Sequence, residues 1–215
     1  MCDEKFFPIP IVLIIFNRIE TTKRIFPIIK EIKPSFFYII ADGPRDHVPN
    51  ERARCDEVRE FVLNSIDWNC ELHTNFSEKN LGCKNRISSG LNWVFSTVDC
   101  AIILEDDCIP DPSFFPFCHM MLKKYQRDHR IMMIAGTNYL TEESPPEFTY
   151  HFSQLFPIWG WATWKRAWNL YDIDMKHWPL FKKGGFLNSI YKNKLFMTHG
   201  MHNGFFHASF KEASA

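Results

Sequence analysis

The 215 residues carry 25 Lys and Arg against 25 Asp and Glu, with 46% hydrophobic and 16% aromatic residues. That composition supplies the core of one α/β domain, or of one domain and a small lobe, and excludes a disordered chain. Balanced charge excludes a global field aimed at nucleic acid or at an anionic membrane, so a negative ligand would need local groups to hold it.

IVLIIFNR (11–18) is an unbroken β-rich apolar run, as in a strand covered on both faces. From Glu20 to Ile32 the apolar residues Ile25, Ile28, Ile29 and Ile32 form a helical stripe, with Pro27 predicting a kink or a late start. FFYIIADGP (36–44) reads as a second strand closed by a turn, and residues 50–66 as a helix through Val58, Phe61, Val62 and Ile66. CELHTNF (70–76) is a weaker third strand, and NLGCKNRISSGLNWVFSTV (80–98) a turn that becomes a helix. AIILEDD (101–107) is a fourth strand, Pro112 to Tyr125 a helix with proline near its first turn, and IMMIAGTNY (131–139) a fifth strand.

Strands alternating with helices predict an α/β fold: a mostly parallel sheet with helices on both faces. Such sheets bind ligands beyond the carboxyl ends of their strands. Four of the predicted strands end in polar groups: Asn17-Arg18, Asp42-Gly43, Glu105-Asp106-Asp107 and Gly136-Thr137-Asn138. Segments far apart in sequence are thereby expected at one rim.

The carboxylate run sets the chemistry. Three adjacent carboxylates repel one another unless water or a cation intervenes. One reading is a solvated acidic turn before a helix. The other is a site for a hard divalent cation, Mn²⁺ or Mg²⁺, which takes one or two carboxylates and completes its shell with phosphate and water. Adjacent strand residues point in opposite directions, so Asp107 is the expected metal ligand and Asp106 faces the sugar or ribose side. Arg18 would pair with phosphate and Asp42 with a nucleotide base.

These residues carry a resemblance. LEDDCIPDPSFF is similar to the acidic motif that ends the fourth strand in GT-A fold nucleotide-sugar glycosyltransferases, in the N-acetylglucosaminyltransferase I-like branch. VLIIFNR and IIADGPR resemble that branch's nucleotide-binding strand ends. NLGCKNRISSGL is similar to the Asn-x-Gly segment of family-two-like enzymes, and GWATWKRAW to the Gly-Trp segment over the acceptor side. The resemblance covers about residues 10 to 196 and implies a glycosyltransferase moving sugar from a nucleoside-diphosphate sugar, above all a UDP-sugar, to a glycan or lipid-linked acceptor. It implies nucleotide or sugar contacts at Arg18, Asp42, Asp106 and Arg86, metal at Asp107, and acceptor or sugar contacts at Glu105, Trp159 and Trp161.

Several signals also admit plainer readings. Asn80, Gly82 and Arg86 fit either a donor-binding loop or a turn glycine with a surface arginine. Trp161, Trp164 and Trp168 stand at i, i+3 and i+7, which suits a lobe core, while Trp159 and Trp161 flank Gly160 in a predicted loop. A nucleotidyltransferase is the second enzyme reading, but FNRIETT lacks the glycine-rich loop expected after its first strand. A catalytically dead nucleotide- or sugar-binding relative is the third.

Residues 8–140 are expected to form the nucleotide-sugar domain, 141–196 an acceptor-side segment, and 197–215 an aberrant or disordered tail. The resemblance implies a helix with a Trp-Asp-x-x-Trp-like motif whose acid supplies the base. This chain has no Asp after Asp174, and Glu212 is its only later acid, so the base is expected to be missing. Codons for the residues from Met197 onward permit such a motif in a frame shifted by one base.

Cys2, Cys55, Cys70, Cys83, Cys100, Cys108 and Cys118 are odd in number and scattered, without a CxxC pair. Reduced thiols in a cytoplasmic protein, peripheral at the membrane at most, are expected. MCDEKFFPIP shows no signal-peptide pattern, and no segment approaches the roughly 20 apolar residues of a membrane span.

Overall fold

The computed structural model describes residues 6–137, 149–153 and 157–184. Through Tyr171 these form one unit built on a six-stranded sheet. The strands are β1 (Ile11–Ile15), β2 (Phe36–Ala41), β3 (Glu71–Phe76), β4 (Cys100–Glu105), β5 (Met133–Ala135) and β6 (Trp161–Trp164). Their order is β3-β2-β1-β4-β6-β5. β1 to β4 pair in parallel, and β6 lies antiparallel between β4 and β5. The architecture is α/β and the sheet mostly parallel.

The apolar runs explain which strands lie at the centre. All five residues of β1 are buried, and alternate side chains feed two separate cores. Ile11, Leu13 and Ile15 join Phe37, Ile39, Ile102 and Leu104 on one face, under helices α1 (Ile19–Ile32), α2 (Glu51–Ser65) and α4 (Phe114–Lys124). Val12 and Ile14 join Tyr38, Ile40, Ala101 and Ile103 on the other, under α3 (Gly82–Thr97). Helices on both faces are what a strand without polar alternation requires. β3, with no fully buried residue, lies at an edge.

α1 continues through Pro27, buries Thr22, Ile25, Phe26 and Ile29, and ends at Lys33 in the left-handed conformation. α3 approaches the sheet closely at Gly90, where a Cβ would lie 2.7 Å from Ile40 Cδ1.

GWATWKRAW differs most from expectation. Trp161 to Trp164 form a strand, not a loop and helix face, and Lys165–Trp168 form the one-turn helix α5. The period of the three tryptophans suited a helix, but pairing on both sides holds this segment extended. Trp164 is buried and donates its indole N–H to Leu122 O at 3.2 Å. Arg166 lies over the Trp164 ring and donates to the carbonyls of Tyr125, Gln126, Asp128 and Ile131, satisfying the turn that follows α4. This part of the expected acceptor-side segment therefore belongs to the sheet.

From Asp172 onward a second unit begins. Asp172 accepts the backbone N–H groups of Asp174 and Lys176, and α6 spans Trp178–Lys183. The tail expected at 197–215, and Asn138 of the fifth strand end, lie outside the described residues. Among the described residues no helix is long and apolar enough to cross a membrane.

Candidate functional site

Strand order locates the site. From β1 the chain moves outward to β2 and β3, then returns to place β4 on the other side of β1. The crevice of a parallel sheet opens where the order reverses, here beyond the carboxyl ends of β1 and β4. β1 runs out into Phe16-Asn17-Arg18, and β4 ends at Glu105 with Asp106 and Asp107 in the following turn.

Arg18 answers the repulsion among the carboxylates. Its Nη2 donates to Asp106 Oδ1 in a very close contact and to Asp107 Oδ2 at 3.1 Å, and its Nε lies 3.4 Å from Asp106 Oδ2. The expectation gave Arg18 to phosphate; here its guanidinium bridges the two aspartates. Because both aspartates follow the last strand residue, the alternation of a strand no longer separates them, and both reach one nitrogen. Their settings still differ: the Asp106 side chain is 3% exposed and the Asp107 side chain 43%. Burial pushes the Asp106 carboxyl up, against the pull of Arg18. Burial also raises Glu105, and the charges of Asp107 and Asp106 add to it.

Asp42 is turned inward. Its Oδ1 accepts the backbone N–H groups of Gly43 and Leu81, each at 2.9 Å, and its Oδ2 that of Gly82 at 3.0 Å. The carboxylate thereby satisfies the open N–H groups at the start of α3, where a negative charge also suits the helix dipole. Asn80 Nδ2 donates to Gly43 O, and a Cβ on Gly43 would lie 2.5 Å from the Lys79 backbone. Asp42, Gly43 and Asn80 therefore clasp the β3–α3 loop against the end of β2. The base contact expected of Asp42 would have to share oxygens already accepting three N–H groups.

Arg86 also faces inward. It is 5% exposed and donates through Nη2 to the carbonyl of Asn75 and to Asn75 Oδ1, the latter at 2.8 Å. Burial pulls its pKa down. The structure places it under the end of β3, so it is not the surface arginine of the plainer reading.

A second charged group at this rim was not anticipated. Glu51, the first residue of α2, is fully buried and accepts Arg45 Nη2 at 2.6 Å, Arg45 N at 2.7 Å and Asn17 Nδ2 at 2.8 Å. Arg45 holds the carboxyl down at about 2, and its guanidinium lies over the Phe16 ring. A glutamate opening a helix ordinarily serves the dipole from solvent, so nothing local marked Glu51 for burial. The network ties the ends of β1 and β2 to α2, beside Arg18.

The far side of the crevice comes from β5 and β6. Gly136 N donates to Gly160 O at 2.9 Å, and Thr137 Oγ1 to Trp159 O at 3.1 Å. Trp159 stands 62% exposed. Trp161 instead lies half-buried beside Trp168, against the core under α3, with ring centroids 6.4 Å apart. Of the two tryptophans expected at a sugar, Trp159 presents its ring to solvent.

Among the described residues, no group of three or more His, Cys, Asp or Glu side chains forms a cage for a metal ion. Asp107 nevertheless fits a hard cation that completes its shell with substrate oxygens: it is an oxygen donor, half-exposed, at the mouth of the crevice. No model of a known protein family matches this chain, and no curated protein matches it closely enough to count as a relative.

Proposed function

We propose that the protein is a GT-A type glycosyltransferase that takes sugar from a nucleoside-diphosphate donor, with a divalent cation at Asp107. The observation that carries this reading is the meeting of Asp106, Asp107 and Arg18 where the parallel sheet reverses its order. Ligands of α/β sheets bind at that position, and an oxygen-bound cation and a guanidinium are both groups that hold a diphosphate.

Mn²⁺ or Mg²⁺ held by Asp107 supplies charge neutralisation to the diphosphate leaving group. Transfer forms a bond from the acceptor oxygen to the anomeric carbon and breaks the bond from that carbon to the phosphate oxygen. The hydroxyl proton must pass to a base; the resemblance puts the acid that supplies it after Asp174, where this sequence has only Glu212, so nucleotide and metal binding are expected here before turnover. Asp106, buried behind Arg18, orients that guanidinium. Glu105 and exposed Trp159 are the candidates for sugar or acceptor contact, since sugar rings present C–H faces that aromatic rings cover.

Isothermal titration with UDP, GDP and ADP, each with and without Mn²⁺, tests the reading. The expected result is a nucleotide preference that appears only with the metal and is lost in Asp107→Asn. Equal affinity of Asp107→Asn and the parent in Mn²⁺ would remove Asp107 from the metal site.

A further inference from the structure

The Arg18 side chain is half-exposed, yet its base is firmly anchored. The Arg18 carbonyl accepts Thr22 N at 3.1 Å, Thr21 Oγ1 at 3.0 Å and Thr22 Oγ1 at 2.8 Å, which fixes the start of α1. A rigid backbone thus carries a long side chain whose head lies against one buried and one exposed carboxylate. The two contacts differ in what their loss would entail. The Asp107 contact is exposed, and exposed ion pairs contribute little. Asp106 is buried, and a buried carboxylate left without a positive partner is strongly unfavourable. The guanidinium can therefore leave Asp107 cheaply but can leave Asp106 only when other positive charge reaches the corner.

We propose that Arg18 is a displaceable counter-charge, exchanged at Asp107 for a divalent cation and redirected to the diphosphate that arrives with it. This rests on the functional reading above. It makes Arg18 the residue that couples the two ligands: the cation weakens the hold of the aspartates on Arg18, and the released guanidinium strengthens the hold on the diphosphate. Coupling of this kind is reciprocal, so diphosphate must tighten cation binding by the same factor.

Free Mn²⁺, followed by electron paramagnetic resonance, tests this on the full chain with Mn²⁺ alone and with Mn²⁺ plus UDP. Arg18→Gln removes the competing charge, so Mn²⁺ alone should bind roughly tenfold tighter than to the parent. The tightening by UDP should be smaller in Arg18→Gln than in the parent. Arg18→Lys keeps the charge and should bind Mn²⁺ alone as the parent does, but with weaker coupling because the ammonium lacks the bidentate fork. If Arg18→Gln does not fold, the reduced coupling in Arg18→Lys carries the test. Unchanged or weaker binding of Mn²⁺ to Arg18→Gln overturns the exchange, as does full coupling in Arg18→Lys. Failure of the parent and all variants to bind Mn²⁺, with or without UDP, overturns the glycosyltransferase reading, and the exchange with it.

Discussion

Glu51 Oε1 accepts a hydrogen bond from Arg45 Nη2 at 2.6 Å while the glutamate side chain is fully buried and the arginine is 45% exposed. The pair closes the loop between β2 and α2 over the end of β1, where Asn17 adds a further donor. A buried carboxylate is tolerable here because each of its oxygens accepts an N–H group.

The Glu51 carboxyl is held at about 2, below its ordinary value of 4.5. A depressed folded-state value stabilises the protein above the unfolded value. That contribution is lost as the pH falls from about 4.5 through about 2. Denaturant unfolding between pH 2 and 7 should show the parent losing stability across this window. Glu51→Gln should be less stable at pH 7 and flatter toward acid; an unchanged acid slope would show that other carboxylates set it.

Asp42→Ala should destabilise the fold by about 2 kcal/mol, because it strands N–H groups at the start of α3 and removes that helix's cap. Asp42→Asn keeps one acceptor oxygen and should fall between the two. Thermal unfolding checks both. An Asp42→Ala protein with parental stability, but with UDP binding lost, would show Asp42 acting on the nucleotide and not on the fold.

Gly90→Ala tests the close approach of α3. Alanine favours the helix by about 1 kcal/mol. Its Cβ, however, would lie within 2.8 Å of both Cδ1 and Cγ2 of the wholly buried Ile40. Overpacking of this kind costs about 1–3 kcal/mol, so the net change is expected to destabilise. A Tm above that of the parent would show that α3 can shift outward freely.

The tryptophans should separate by role. Trp164→Ala empties a buried site and breaks the bond to Leu122 O, an expected loss of about 3–5 kcal/mol. Trp159→Ala removes an exposed ring and should leave the Tm close to the parental value while weakening donor-sugar or acceptor affinity. Parental affinity in Trp159→Ala, measured by titration with a UDP-sugar and a glycan acceptor, would leave Trp159 without a part in binding.

The elements were largely legible because burial on both faces writes itself into the chain. IVLII, FFYIIA and AIIL have no polar alternation, so each had to be a strand covered above and below, and each is. The polar ends of β1 and β4 meet at one rim for the same reason, since a buried run must surface somewhere. Partnership was another matter. Trp161 to Trp164 reads as well as a helix face as a strand, and only pairing with both β4 and β5 decides it. Arg18 lies 88 residues from Asp106, and the two meet because β4 returns to the free side of β1. Asp42, Arg86 and Glu51 are charged and sit near the same rim. Whether each faced solvent or the interior depended on which backbone groups the loops left open. Local pattern determines which residues leave water, because that depends on each side chain alone. Which charge meets which depends on strand order and loop closure, and these exist only once the whole sheet has assembled.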